Sequence, residues 1–334
     1  MLKIKGEVPL KDHTIFKIGG PARYFFVAQN EKDLKNAILW AKKKKIPFFI
    51  LGGGSNVLFS DEGFRGLVIK IQNSNLKIQN ENSKFKIICG AGLSLSKLVF
   101  KSLEIGATGL ENLAGIPGTL GGAIWGNAGA FGREIGDVVE EVKVLDVRGL
   151  KLEIKKLKKD DCKFGYRDSI FKKRKNWVIL EATLKLKKGE KKEIEERIKE
   201  ILKLRKEKQP LELPCAGSIF KNIPIEKVPK KIQEKFKERI KNGFLPAGAL
   251  IEAANLKGYQ VGGAKISEKH ANFIVNLGNA KASDVLKLIE LTKKKVRKKF
   301  KIQLKEEIVK VQNPTLVPLC KEGENFLMQK FVGK

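Results

Sequence analysis

The segment "PCAGSIFKN", residues 214 to 222, sets Ser218 behind an Ala-Gly pair, with a lysine and an asparagine close after it. Three roles are open to that hydroxyl: nucleophile, turn or strand-start residue, or proton donor in a dry pocket. Nothing marks a nucleophile, because no GxSxG elbow surrounds Ser218 and neither histidine, His13 or His270, stands in a local base motif. Cys215, three residues earlier, has no His or Asn marker beside it and reads as a packing residue. In "YRDS", Arg167 precedes Asp168, and on its own that pattern reads as a surface ion pair. In "LKEEIVKV", Glu306 and Glu307 are neighbours on an expected strand and point to opposite faces, so only one of them can serve a given site.

Two further stretches carry binding chemistry. "ILGGGSN" is a strand that runs into Gly52, Gly53 and Gly54, with Ser55 and Asn56 behind them. Glycine lets successive backbone N–H groups turn toward one point and approach a bulky anion such as a pyrophosphate. Neither GxGxxG nor GxxxxGK[ST] is present, so the Rossmann and Walker readings fail, and a tight structural turn stays equally open. The second stretch, "GIPGTLGGAIWGNAGAFG", contains Gly115, Ile116, Pro117, Gly118, Thr119, Gly122, Asn127 and Gly129. Its glycine density wastes backbone entropy unless something large lies against the chain, and Thr119 and Asn127 are its few polar side chains. Two such loops imply a dinucleotide held between two small α/β lobes, with flavin the natural candidate.

The elements that must position these residues follow from periodicity. "ARYFFVA" reads as a strand, residues 31 to 44 as an amphipathic helix, and "PFFIL" as the strand before the first glycine loop. "GLVIKI" and "FKIIC" follow as strands, and "LSLSKLVFKSLEIG" as a helix closed by Gly106. Residues 111 to 136 are too glycine-rich for a normal helix. Three antiparallel strands then precede a helix at 190 to 208. Prolines in "QPLELP" mark the main boundary near 209 to 213. The last part reads as α+β: a strand at 218 to 220, helices near 228 to 241 and 247 to 256, a strand at 272 to 276, a helix at 281 to 299 and a strand at 302 to 311.

Composition bounds the partners. A chain of 334 residues has room for several cores, and no stretch approaches a membrane span or a signal peptide, so a cytoplasmic, membrane-free protein is expected. Cys89, Cys162, Cys215 and Cys320 are far apart and form no metal or disulfide pattern. The formal charge is +31, yet only ten of the 68 basic residues are arginine, and many lysines sit in helical runs. That distribution favours solvated helix faces over a nucleic-acid surface, and no nucleic-acid partner is expected.

Six co-linear blocks carry a family resemblance: "HTIFKIGGPARYF", "LGGGSNVLFSDEGFRGLVI", "GLENLAGIPGTLGGAIWGNAGAFG", "YRDSIFK", "AGSIFKN" and "GGAKISEKHANFIVN". Together they resemble the UDP-N-acetylenolpyruvoylglucosamine reductases. The resemblance implies a two-lobed FAD-binding domain of the vanillyl-alcohol-oxidase type followed by a smaller α+β substrate-binding domain. The boundaries it suggests are 1–75 and 76–208 for the lobes, 209–312 for substrate binding and 313–334 for a tail. It also implies FAD as cofactor, NADPH as co-substrate, a UDP-sugar as substrate, and a monomer. By resemblance Ser218 becomes the proton donor, Arg167 the partner of the substrate carboxylate and Glu307 the catalytic acid. Asn222, Tyr166, Lys208 and His270 are then expected at the substrate, with simple packing an alternative for Tyr166 and His270. No room exists between Arg167 and Trp177 for the tyrosine-bearing insertion of one family branch, so the chain looks like the shorter type. Another oxidoreductase on the same flavin fold, or a basic nucleic-acid-binding protein, are the competing classes.

Overall fold

The computed structural model describes residues 2–313. Three sheets organise the chain. The first has the order Lys5–Pro9, Pro21–Ala28, Phe64–Ile71, Phe48–Leu51; its first pair is antiparallel and the other two are parallel. The parallel crossover is made by the helix Glu31–Lys43, which Asn30 caps by accepting from Asp33 N at 2.9 Å. Its buried residues Leu34, Ala37, Ile38 and Ala41 recur at helical spacing, so one face packs on the sheet and the lysines stay wet.

The second sheet is antiparallel, in the order Glu153–Lys158, Val139–Asp146, Trp177–Lys188, Lys84–Gly90, Leu76–Glu81. Its helix Leu95–Glu104 ends where Gly106 takes φ +69°. One continuous apolar core, from Phe26 through Ile38, Ile87 and Leu145 to Ile201, joins the first two sheets. The chain passes from one sheet to the other between Ile71 and Leu76.

The third sheet, Cys215–Ser218, Phe273–Asn276, Ala264–Ile266, Gln260–Val261, packs with the helices Ala247–Ala253 and Ala282–Phe300 around a separate core. Phe16, Ile18 and Leu58 from the N-terminal part enter that core. The chain then returns: Val309–Val311 pairs in parallel with Val57–Phe59, just past the first glycine loop.

Four expectations differ in detail. The glycine-rich stretch does contain a helix, Leu120–Gly126, stopped by Asn127 in the left-handed conformation. The helix expected near 228 to 241 is instead a short helix, Lys230–Lys235, and a 3-10 turn, Lys237–Arg239, before Asn242 and Gly243 at positive φ. The serine-bearing strand is Cys215–Ser218 rather than 218 to 220. In the run 302 to 311 only Val309–Val311 is strand, because the preceding residues pair only with the short run 219 to 221.

Candidate active site

The strand Phe48–Leu51 delivers the first glycine loop opposite the second. A Cβ on Gly53 would stand 2.6 Å from Gly118 Cα, one on Gly52 2.6 Å from Thr119 Oγ1, and one on Gly118 2.7 Å from Ser55 Oγ. Gly54 has φ +65°, and a Cβ there would run into His13 O. Gly52, Gly53 and Gly118 therefore let the two loops touch each other, and Gly54 lets the first loop lie against the segment at His13. Gly122 and Gly126 differ: a Cβ there meets nothing closer than 3.7 Å and nothing within 4 Å, respectively, and both positions face a cavity of about 760 Å³.

That cavity has the size of a cofactor site. The expected cofactor positions of both loops line it, except Asn127. The N–H groups of Gly53, Gly54 and Ser55 find no acceptor among the described residues, and successive free amides form an anion-binding concavity. The Thr119 hydroxyl is buried without a partner. Free amides, an orphaned hydroxyl and side-chain-free walls fit a dinucleotide such as FAD. Asn127 corrects the expectation: it is 1 % exposed and caps the helix before it. Its amide is spent on Glu134 Oε2 at 2.6 Å, Gly165 O at 2.9 Å and Gly136 N at 3.0 Å.

Arg167 and Glu307, distant in sequence, meet at the cavity wall with Nε 2.9 Å from Oε1. Arg167 has φ +52° in a tight turn closed by mutual Gly165–Asp168 backbone bonds of 3.0 Å. Lys172 and Lys221 donate to its carbonyl at 2.7 Å and 3.0 Å. Its Nη2 donates to Gly129 O at 2.5 Å, and Nη1 lies 3.6 Å from Glu134 Oε1. The surface pair with Asp168 does not form. Glu307 is held by its N–H donating to Ile219 O at 2.7 Å, while Glu306 turns away to Lys293 at 2.6 Å and Lys310 at 2.8 Å. Opposite faces therefore separate the two glutamates. Burial pushes the Glu307 carboxyl above the usual carboxylate range, although Arg167, Lys172 and Lys221 pull it down. Burial, with the charge of Lys221, lowers Lys172 to about 8.

Ser218 lines the same cavity. The strand slips register between Cys215 and Ser218, and Gly217, with φ +72°, makes the bulge that re-aims it. The serine hydroxyl makes no hydrogen bond among the described residues. Asn222 also lines the cavity, with Oδ1 accepting from Ala247 N at 3.2 Å. Tyr166 stands behind the wall: its hydroxyl accepts from Asn222 N at 3.2 Å and its ring packs on Phe244 at 4.3 Å.

Two expected substrate residues fall elsewhere. Lys208 is exposed at the end of the helix Lys191–Lys208 and does not line the cavity, because the helical stripe turns Arg205 inward instead. His270 packs on Phe273 with Nδ1 accepting from Asn272 N at 3.2 Å, also off the cavity wall. Asn272 in turn clasps Phe220 through both backbone groups, so His270 buttresses the serine segment from behind. Sequence reasoning passed over Lys172, Glu134 and Arg205. The spacing of Ile194, Ile198, Ile201 and Arg205 was the signal for the last, since it puts a guanidinium on an apolar stripe.

Comparison with known proteins identifies the family and the fold. Residues 22–155 match a family model described as an FAD binding domain, and residues 209–311 match the UDP-N-acetylenolpyruvoylglucosamine reductase C-terminal domain. The chain is 46% identical over 301 residues to the UDP-N-acetylenolpyruvoylglucosamine reductase of Caldanaerobacter subterraneus, covering 90% of this chain and 91% of that one. The chain belongs to the UDP-N-acetylenolpyruvoylglucosamine reductase family. A second member, from Fervidobacterium nodosum, is 43% identical over 90% of this chain and 89% of its own. The crystal structure of the Thermus caldophilus reductase superposes with a TM-score of 0.71 at 32% identity, covering 93% of this chain and 98% of that one.

Family membership makes the fold a two-lobed FAD-binding domain followed by an α+β domain, and the protein a flavin-dependent enzyme. Among the described residues no helix is long and apolar enough to cross a membrane, and no His/Cys/Asp/Glu cluster suits a metal. Cys89, Cys162 and Cys215 are free, and burial pushes the first two thiols up to about 12. Cys320 and the expected tail lie outside the described residues, apart from residue 313.

Proposed function

We propose that the protein reduces UDP-N-acetylglucosamine enolpyruvate to UDP-N-acetylmuramate for peptidoglycan synthesis, with FAD between the glycine loops and NADPH as the electron source. The observation that carries this reading is the convergence of Ser218, Arg167 and Glu307 on the cavity that the two loops enclose. When bound, FAD supplies the electron pair that reduces the vinyl carbon.

The chain's own groups handle the charge and the second hydrogen. As one vinyl carbon gains hydrogen with its electron pair, negative charge spreads over the neighbouring carbon and the carboxylate. Arg167, permanently charged and planar, pairs with that carboxylate. An arriving carboxylate puts a second negative charge beside Glu307, already raised by burial, and so favours its neutral acid form. As an acid, Glu307 donates a hydrogen bond to the developing charge. The Ser218 O–H bond breaks as the new C–H bond forms, and solvent returns a proton to Oγ. A hydroxyl is a weak acid, but a carbanion-like centre is basic enough to take its proton when geometry is fixed.

Residues 209–312 supply the sugar-nucleotide side, where Asn222 faces the cavity and Tyr166 fixes its backbone. One polypeptide is enough to form the site described, and a monomer is the proposed working unit. Free thiols at Cys89, Cys162 and Cys215 suit the reducing conditions of the cytoplasm. The test is anaerobic: the yellow protein is reduced with NADPH, the enolpyruvyl sugar nucleotide is added, and flavin absorbance is followed. Return of the oxidised band with one UDP-N-acetylmuramate per flavin is expected; a flavin that stays reduced rejects the reading.

A further inference from the structure

On one side of Ser218 the chain bulges. Gly217 takes φ +72° there, and a Cβ on it would meet nothing within 4 Å, so little on that side fixes the serine. On the other side the four backbone polar groups of Ile219 and Phe220 are all engaged, three of them by Asn272. Ile219 N donates to Asn272 O at 2.8 Å, Phe220 N donates to Asn272 Oδ1 at 3.0 Å, and Asn272 Nδ2 donates to Phe220 O at 2.8 Å. The fourth group, Ile219 O, accepts from Glu307 N at 2.7 Å. Two residues thus join the serine to the glutamate, and one asparagine grips both.

Asn272 is 3 % exposed and does not line the cavity, so it acts through what it holds. Its own N–H donates to His270 Nδ1 at 3.2 Å, a bond that only an imidazole unprotonated at Nδ1 can accept. Ser267 Oγ fixes that histidine by accepting from Lys269 N at 3.2 Å and His270 N at 3.3 Å. The ring packs on Phe273, the residue that pairs with Ser218 across the sheet. The helix Ala247–Ala253 presents Gly248 and Glu252 to it, and Lys257 follows that helix. Burial is the main influence that keeps the ring neutral, with the charge of Lys257 adding to it and Glu252 opposing it.

Resting on the reading that Ser218 gives the proton and Glu307 the hydrogen bond, we propose that Asn272, with His270 behind it, is the positioning residue that holds these two groups in register with each other. Proton delivery from a weak acid depends on placement, and a shift of about 1 Å can cost on the order of a hundredfold in rate. An amide suits the task because one planar group carries both a donor and an acceptor. Both are spent on Phe220, so that residue cannot rotate and neither can the serine before it.

The experiment follows both half-reactions by single-turnover stopped flow in the flavin-loaded wild-type, Asn272→Ala, His270→Phe and His270→Asn enzymes. For Asn272→Ala the rate constant of flavin reoxidation at saturating enolpyruvyl sugar nucleotide should fall about a hundredfold, with reduction by NADPH and the substrate Kd held within about twofold. Partial unfolding would instead shrink the amplitudes of both half-reactions together and leave the rate constants alone. His270→Phe removes the acceptor and should slow reoxidation about tenfold, and His270→Asn, whose Oδ1 can stand where Nδ1 stood, should recover most of it. In the wild-type protein reoxidation should also slow as pH falls, because protonation at Nδ1 sets a donor against Asn272 N–H. His270→Asn should remove this acid limb, which runs opposite to the one set by Glu307. Equal losses in the two half-reactions, or wild-type reoxidation by Asn272→Ala, overturn the proposal. Should Asn272→Ala not fold, the histidine pair decides, and equal rates with the acid limb intact in both overturn it too. A wild-type flavin that stays reduced with substrate rejects the functional reading itself.

Discussion

Glu307 stands 2.9 Å from the Arg167 guanidinium, yet burial wins and raises its proton affinity. If its neutral acid form is the working one, substrate reduction slows as pH rises through that raised value. Glu307→Gln keeps a hydrogen-bond donor that cannot titrate, so it should flatten this limb in stopped-flow profiles, whereas Glu307→Ala loses the donor and about a hundredfold or more in rate. Lys172 loses its proton near 8 and should give a second limb there, which Lys172→Arg moves out of range. Ser218→Ala should leave flavin reduction by NADPH within about twofold while lowering reoxidation by substrate by roughly 10²–10⁴. Equal loss in both half-reactions would remove the serine from proton transfer.

At the scale of elements, the glycine loops divide into positions that serve the fold and positions that serve the ligand. Gly53 is pressed against Gly118 Cα, so Gly53→Ala must push backbone apart and should cost about 1–3 kcal/mol in denaturant unfolding of the flavin-free protein. Gly126 ends the helix Leu120–Gly126 beside open space. Gly126→Ala should leave that stability unchanged or raise it by up to about 1 kcal/mol, while weakening FAD binding at least tenfold in a fluorescence titration. Opposite signs at two glycines of one cavity would separate loop contact from cofactor contact. The same distinction explains why glycine density was readable as a large-ligand signal while the individual roles were not: a Cβ clash depends on the facing loop.

The whole molecule is closed by contacts that run from the last domain back to the first. Asn276, 2 % exposed, donates to Phe16 O at 3.0 Å and accepts from Gly278 N and Ala280 N at 2.8 Å and 3.0 Å. Asn276→Ala would strand those buried groups, and a loss of about 2–4 kcal/mol is expected in chemical unfolding. The formal charge of +31 draws in anions over distances set by the Debye length, about 10 Å at 0.1 M salt. For an anionic sugar nucleotide, kcat/KM should therefore fall as ionic strength rises, while the rate of flavin reoxidation at saturating substrate changes little.

By itself the sequence determined what local chemistry can determine. Strand and helix alternation follows from apolar spacing, the glycine loops from their composition, and the choice of one glutamate at the site from the two-residue period of an extended chain. Six blocks in order carried the family. Tertiary structure alone decided which groups share a cavity: Arg167 reaches Glu307 rather than Asp168, Asn127 closes a helix, and Arg205 rather than Lys208 points inward. The reason is that short-range pattern fixes the direction of a side chain relative to its own element, whereas the neighbour it meets is set by how separate sheets pack.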